Sequence, residues 1–282
     1  MFISIIIPTR NRYDLLNQLI SDLLNQDVNN FEILVIDQSG KPQKVNHCKH
    51  IILKSSGPCI SRNIGAKNAK GEILVFLDDD ARIEKDFISE ITKPIISNRF
   101  DAVAGAICDV NGNYLEKKSY FRRASDSNFI KAITSNPNIN ESRICLSFPG
   151  GCSSILKRVF LKVGGFDERF DPTGAGEDRD FALKLFVNGN PTWYNHKAKL
   201  LHIGASYGGS RDLGSRSIML DYHTYLMSKK NFSEDVSEQL RKSIISKYKS
   251  YFIDAILNMK LIRTKYSNFR KINKLLKNRV KN

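Results

Sequence analysis

Gly71-Glu72-Ile73-Leu74-Val75-Phe76-Leu77-Asp78-Asp79-Asp80 runs five apolar residues straight into three carboxylates. The apolar run is rich enough in β-branched and aromatic residues to predict a strand buried on both faces, as in a parallel sheet. Side chains alternate along a strand, so Asp78 and Asp80 are expected on one side and Asp79 on the other. Carboxylates set side by side repel each other and call for a cation, and an all-oxygen set suits Mg²⁺ or Mn²⁺. Ligands of open α/β sheets sit at the carboxyl ends of strands, where these three residues fall. A solvated acidic turn is the bland alternative. The strand placed directly before the carboxylates argues against it.

Upstream, residues 3–7 read as a buried strand stopped by Pro8, followed by the polar loop Thr9-Arg10-Asn11-Arg12. Leu15, Leu16, Leu19, Ile20, Leu23 and Leu24 then repeat at helical spacing, with Asn11 or Asp14 as the candidate cap. Phe31 to Asp37 is a second strand ending in a carboxylate, and Gln38-Ser39-Gly40 is its turn. A short strand at 50–53 precedes a helix over 58–69 that carries Arg62 and Asn63, and Gly71 suits its C-terminal end. Helices alternating with apolar strands predict an α/β fold with a mixed, mostly parallel sheet. The chain has neither GxGxxG nor GxxxxGK[ST], so a nucleotide's phosphates would be held by metal rather than by a glycine cradle.

Downstream, a helix over 84–97 with Pro94 in its last turns leads to a strand over 102–109. Residues 110–147 are polar and irregular and contain Arg122-Arg123; a loop of that length is functional or disordered. A loop and strand follow at 149–156, then a short helix at 158–163 and a turn at 166–170. Gly174-Ala175-Gly176-Glu177-Asp178 opens another helix. The helix dipole alone would favour these two carboxylates in a first turn; the two glycines before them, which let backbone approach a ligand, point to more. Late strands are read at 192–195 and 198–202, and a flexible loop at 204–211. From Ser233 onward a helical signal runs through Val236, Leu240, Ile244, Tyr248, Phe252, Ile256, Met259, Ile262, Tyr266 and Phe269.

Composition narrows the class. The 282 residues hold five scattered cysteines with no CxxC pair, which points away from a zinc site or a disulfide framework and towards a reducing compartment. Met1 to Pro8 has no basic leader and reads as a strand rather than a signal peptide, and no apolar run is long enough to span a membrane. Residues 229–282 hold 15 Lys and Arg against 4 Asp and Glu, a net +11 of the chain's +15. The basic excess therefore belongs to the C-terminal end. A basic amphipathic helix there is either packed on the core with a solvated basic side or set against an anionic surface.

Pro8-Thr9-Arg10-Asn11-Arg12, Val35-Ile36-Asp37-Gln38-Ser39, Ser61-Arg62-Asn63-Ile64-Gly65 and the 71–80 stretch together resemble family 2 nucleotide-sugar glycosyltransferases of the GT-A fold. Gly164-Gly165-Phe166-Asp167-Glu168, Gly176-Glu177-Asp178-Arg179-Asp180 and His202 extend the resemblance in order, so that it covers roughly residues 1–210. It implies inverting transfer of a sugar from a nucleoside diphosphate, UDP foremost, to an acceptor hydroxyl. By the same resemblance, Pro8, Thr9, Arg10, Arg12 and Asp37 hold the nucleotide, with Arg62, Asn63, Asp78 and Asp79 beside them. Asp80, Asp78 and His202 are implied ligands of Mn²⁺ or Mg²⁺. Asp178 is the implied general base, with Glu177 supporting it or touching the acceptor. Gln38 departs from the family, which often has a second acidic residue there, and leaves nucleotide choice more open.

The expected organisation is a GT-A catalytic domain over 1–228, with a nucleotide-binding half (1–109) and an acceptor-binding half (110–228), then a basic helical extension over 229–282. The implied partners are a nucleotide-sugar donor, a glycan or lipid-linked acceptor of a bacterial surface polysaccharide, and an anionic membrane touched peripherally from the cytoplasm. Nucleic acid is not expected. Two rivals stand beside this reading: a nucleotidyltransferase acting on sugar phosphates, for which Pro8–Arg12 makes a poor triphosphate loop, and a nucleic-acid binder using the basic tail, whose aromatics fall on the apolar face.

Overall fold

The computed structural model describes residues 1–55, 57–115, 134–210, 216–257 and 261–277, the side chain of Ile262 excepted. They fall into two compact units, one built on a sheet up to residue 210 and one of helices from residue 216.

In the first unit nine strands form one sheet among the described residues: β1 (Ile3–Thr9), β2 (Phe31–Asp37), β3 (Lys49–Ile52), β4 (Ile73–Leu77), β5 (Ala81–Ile83), β6 (Ala102–Cys108), β7 (Arg143–Cys145), β8 (Cys152–Leu156) and β9 (Thr192–His202). Their order is β3-β2-β1-β4-β8-β6-β9-β5, with β7 also on β9. The four strands β3, β2, β1 and β4 are parallel, β8 runs against β4 and β6, and β9 returns parallel to β6. Helices α1 (Tyr13–Leu24), α2 (Pro58–Asn68), α3 (Phe87–Ile96), α4 (Lys157–Lys162) and α5 (Glu177–Val187) flank the sheet.

All five residues of β4 are fully buried, as a central strand covered on both faces requires. Phe76 on that strand anchors an aromatic cluster. It meets Phe160 of α4 at 5.3 Å and Phe166 at 5.7 Å, and Phe166 stacks on Phe181 of α5 at 4.6 Å. Pairs of this kind contribute about 0.5–1.5 kcal/mol beyond their buried area. The helix carrying Glu177 and Asp178 is thereby packed against the strand that ends in the aspartates. At the start of α2, Asp171 accepts from the backbone amides of Cys59 (3.0 Å) and Ile60 (2.9 Å), one at each carboxylate oxygen.

Several local expectations change. Pro8 does not stop β1, because β1 has run past its β4 partner after Ile6 and a missing N–H there breaks no ladder bond. Neither Asn11 nor Asp14 caps α1: Asn11 takes a φ of 57° and donates its backbone N–H to Ser39 Oγ, and Arg12 stands at the cap position. Residues 81–83, for which no element was expected, form the short strand β5. The two late strands are one, β9, with an irregularity opposite Gly105/Ala106. Of the 110–147 loop, Arg122-Arg123 lies outside the described residues. Its Asn136 and Asn138 donate to or accept from the backbone of β6, at Gly105 and Ile107.

The second unit contains α6 (Arg216–Asn231), α7 (Glu234–Leu257) and α8 (Ile262–Lys277). The boundary expected at 228/229 falls inside α6, which belongs with the helical unit. Leu240, Ile244 and Tyr248 of α7 are buried, and Phe252 lies parallel to Phe269 of α8 at 6.4 Å. Met259 of the expected apolar face lies outside the described residues, and Ile256 is exposed. Buried Asp221 of α6 accepts from Lys247 Nζ (2.8 Å) and Tyr248 Oη (3.0 Å). No helix among the described residues is long and apolar enough to cross a membrane.

Candidate active site

The β4 strand ends at Leu77, so the alternation expected of the three aspartates does not hold: Asp79 and Asp80 sit in a turn and share one partner. Arg12 Nη1 donates to Asp79 Oδ1 at 2.9 Å and to Asp80 Oδ2 at 3.2 Å. Thr9 Oγ1 completes the hold on Asp79 at 2.7 Å. All four residues are buried. Burial pushes the Asp79 carboxyl up to about 6 against the downward pull of Arg12 and Thr9. The rest of the guanidinium turns to the loop after β9, donating to the carbonyls of Tyr207 (2.6 Å) and Gly208 (3.3 Å). Gly208 has a φ of 65°, and a Cβ there would lie 2.8 Å from Arg12 Cγ, so the arginine passes only over a glycine.

His202 reaches the same place through sheet register. Ala81 pairs with His202, and Ile203 N donates to the carbonyl of Asp80 at 3.0 Å. Asp80 Oδ1 then lies 3.7 Å from His202 Nε2. Among the described residues no three His, Cys, Asp or Glu side chains converge as a ready cation cage. A carboxylate oxygen and an imidazole nitrogen 3.7 Å apart can still share one divalent ion at ~2.1 Å from each, with a substrate's phosphates and water completing the shell. The residues therefore fit a cation at Asp80 and His202. Asp78, the other expected ligand, is bonded to a different arginine.

That arginine is Arg62, whose side chain is 4% exposed. Its Nη1 donates to Glu177 Oε1 at 2.9 Å and its Nη2 to Asp78 Oδ1 at 3.1 Å, and it lies over the Phe166 ring at 5.3 Å. Burial would lower the guanidinium's pKa, but Asp78 and Glu177 outweigh it and keep the group charged. Arg62 thus ties the end of β4 to the first turn of α5. Asp178, the next residue of that turn, is half-buried, and its Oδ1 accepts from the Arg179 backbone N–H at 2.9 Å.

Asp37 is fully buried and held by residues that sequence reasoning missed. Tyr13 Oη donates to its Oδ2 at 2.5 Å, His50 Nε2 lies 2.9 Å from the same oxygen, and the Ser39 amide donates to Oδ1 at 2.8 Å. Burial works to raise this carboxyl, yet the Ser39, Tyr13 and His50 bonds prevail and hold it below the usual range. Tyr13 begins α1, directly after the recognised loop, and His50 lies on β3. Both are ordinary strand or helix residues by pattern, which is why neither drew notice.

The other expected nucleotide residues divide. Arg10 is in the loop, its Nη1 buried with no hydrogen-bond partner among the described residues and its carbonyl accepting from the Gly209 amide. Pro8 lies in β1 opposite Ile36. Asn63 is engaged elsewhere: its amide both donates to the Phe166 carbonyl and accepts from the Phe166 amide, each at 2.9 Å. It braces the turn before α5. Gln38 likewise makes two backbone bonds to Gly57, each 3.0 Å.

Comparison with known proteins matches this arrangement. The glycosyl transferase family 2 model matches residues 4–164, and the chain belongs to that family. An uncharacterized glycosyltransferase of Haemophilus influenzae is 32% identical over 127 residues, which is 40% of this chain and 51% of that protein. The poly(ribitol-phosphate) beta-N-acetylglucosaminyltransferase TarS of Staphylococcus aureus is 24% identical over 235 residues, 75% of this chain and 38% of that one. The crystal structure of TarS 1-349 in complex with UDP-GlcNAc superposes with a TM-score of 0.61 at 18% identity, over 96% of this chain and 81% of that one. The sheet and its helices are accordingly the GT-A arrangement. The chain spans about half the length of the Haemophilus relative and less of TarS.

Proposed function

We propose that this chain transfers a sugar from a UDP-sugar to an acceptor hydroxyl with inversion, in the synthesis of a bacterial surface polysaccharide or lipid-linked glycan. The observation that carries the reading is the bridge through Arg62, which fixes the first turn of α5, and with it Asp178, against the end of β4. Asp178 would take the proton of the acceptor hydroxyl as its oxygen attacks the anomeric carbon and the bond to the diphosphate breaks. A positioned carboxylate in that role contributes ~10²–10⁴-fold. Glu177 acts through Arg62 as a positioning residue. Asp80 and His202 would hold Mn²⁺ or Mg²⁺, whose chemistry when bound is Lewis-acid stabilisation of the departing phosphate. Thr9 and Arg12 position Asp79 and Asp80 by hydrogen bonds, and Asp37 belongs to the nucleoside end.

UDP is favoured because TarS binds UDP-GlcNAc in its crystal structure and shares this fold. A surface-glycan acceptor is favoured because the relatives include TarS and a chondroitin synthase of Pasteurella multocida. The same reading places the enzyme at the cytoplasmic face of a membrane. Thermal unfolding with UDP, GDP, CDP and dTDP, each with and without Mn²⁺, tests it, since a ligand bound only by the native state raises apparent stability. A metal-dependent rise with UDP supports the reading. Folded protein that responds to none of the four overturns it.

A further inference from the structure

Four of the six basic residues of α8 share one face of the helix. Arg263, Arg270, Lys274 and Lys277 recur at intervals that place them on one face, and all four are exposed. None makes an ion pair or a side-chain hydrogen bond among the described residues, in a chain whose other arginines are largely paired. Tyr266 sits within the same stripe, 45% exposed, with Arg270 over its ring at 5.9 Å. The opposite face of α8 carries Ile272 and Leu276, both buried. No acidic residue occurs after Asp254 in the sequence. Among the described residues, then, this stripe is a row of cations with no carboxylate paired to it.

Charge alone would fit any polyanion. The apolar residues beside it narrow the choice. Leu257 at the end of α7 and Leu261 just before α8 are 77% and 69% exposed, the most exposed large hydrophobic side chains among the described residues, and Ile253 and Ile256 are 45% and 47% exposed. A half-exposed tyrosine flanked by cations, next to bare aliphatic side chains, is what a lipid–water interface accommodates: aliphatic tips below the headgroups, the phenol at their level, basic groups on the phosphates. A hydrated acidic polysaccharide or a nucleic acid would meet the cations but has no use for Leu257 and Leu261.

We infer that the helical unit docks on an anionic bilayer through the Arg263–Tyr266–Arg270–Lys274–Lys277 face of α8 and the exposed aliphatic residues at the α7 and α8 ends that meet. This deepens the placement proposed above, and it would let the sheet unit act on an acceptor held at the membrane. Each basic residue near such a surface strengthens partitioning about fivefold, so losing four weakens it by roughly 10²–10³-fold. The docking is salt-sensitive, because screening shortens the reach of exposed charge.

The test is co-sedimentation of the full chain with phosphatidylcholine vesicles and with vesicles in which about a quarter of the lipid is phosphatidylglycerol. Binding only to the anionic vesicles, lost in Arg263→Gln/Arg270→Gln/Lys274→Gln/Lys277→Gln and weakened in Leu257→Ser/Leu261→Ser, is the expected result. No binding, or binding unchanged in the fourfold variant, overturns the inference. So does heparin competing fully while the leucine variant binds vesicles normally, which would assign the stripe to a soluble polyanion. Sedimentation velocity of the leucine variant covers the remaining occupant: an oligomer that dissociates on that change would make the aliphatic patch a contact between copies and overturn the lipid assignment. UDP-sugar turnover without vesicles is measured alongside. It fails only if the catalytic reading fails, so the two proposals stand or fall separately.

Discussion

Arg62 Nη1 and Glu177 Oε1 are bonded at 2.9 Å although 115 positions separate them in the chain. The same guanidinium holds Asp78, so one buried cation joins the donor-side motif to the helix of the proposed base. Breaking a buried pair by removing one partner costs about 3–5 kcal/mol, because the other charge is left without compensation. Arg62→Ala is expected to lower the unfolding temperature sharply and abolish turnover. Glu177→Gln keeps an acceptor for Arg62 and should remain folded with a reduced kcat. Thermal melts and initial rates check both, and an Arg62→Ala protein as stable as the parent would remove this bridge from the account.

Asp178→Asn preserves shape and hydrogen bonding but cannot take a proton. Donor binding, read as the UDP-dependent rise in melting temperature, is expected to stay, while transfer falls ~10²–10⁴-fold. Transfer at the parental rate would disprove the base assignment.

Asp80→Ala and His202→Ala address the cation. Either change should weaken the Mn²⁺-dependent part of UDP stabilisation, Asp80→Ala the more, because it also strips Arg12 of one of its two carboxylates. Asp78→Asn should leave that metal dependence nearly intact, since Asp78 sits on Arg62. Isothermal titration with Mn²⁺ and UDP distinguishes the three variants.

Asp37 supplies a pH dependence. Its carboxyl is held below the ordinary value of 3.8 in the folded chain, so its contribution to stability is complete above the unfolded pKa. That contribution drains away as pH falls below about 4. Tyr13→Phe removes one bond to the carboxylate, worth ~1.5–3 kcal/mol for a charged acceptor, and should move the acid-unfolding midpoint upward. Asp79 has the opposite sign: raised to about 6, it favours the folded state at low pH and loses that contribution as pH rises through 6. An acid midpoint unmoved by Tyr13→Phe would mean that Asp37 is held by Ser39 and His50 alone.

The parallel half of the sheet was legible because β1, β2 and β4 are largely apolar runs with helical periodicity between them. The aspartates were legible as a motif but not as a geometry. Period-two alternation applies only while the strand lasts, and β4 ends at Leu77, one residue before the first of them. Helix α6 gave no apolar stripe because its buried side includes Asp221, His223, Thr224 and Ser228. Asn63 looked like a ligand residue, yet its partner is the backbone of Phe166, a relation set by tertiary packing across 103 positions. Tyr13 and His50 converge on Asp37 from a helix and from the next strand of the sheet, which no local pattern reports.

The carboxylate of Asp171 has a consequence for how a diphosphate can be met. A helix N-terminus inside a nucleotide-binding sheet is a natural anion seat, with amides pointing outward and a partial positive charge behind them. In this chain the seat at α2 is already filled from within, by an anion the protein carries itself. An incoming phosphate would find those amides taken. At this helix the charge of the proposed donor would be answered by side-chain cations or a bound metal, not by the amides of Cys59 and Ile60.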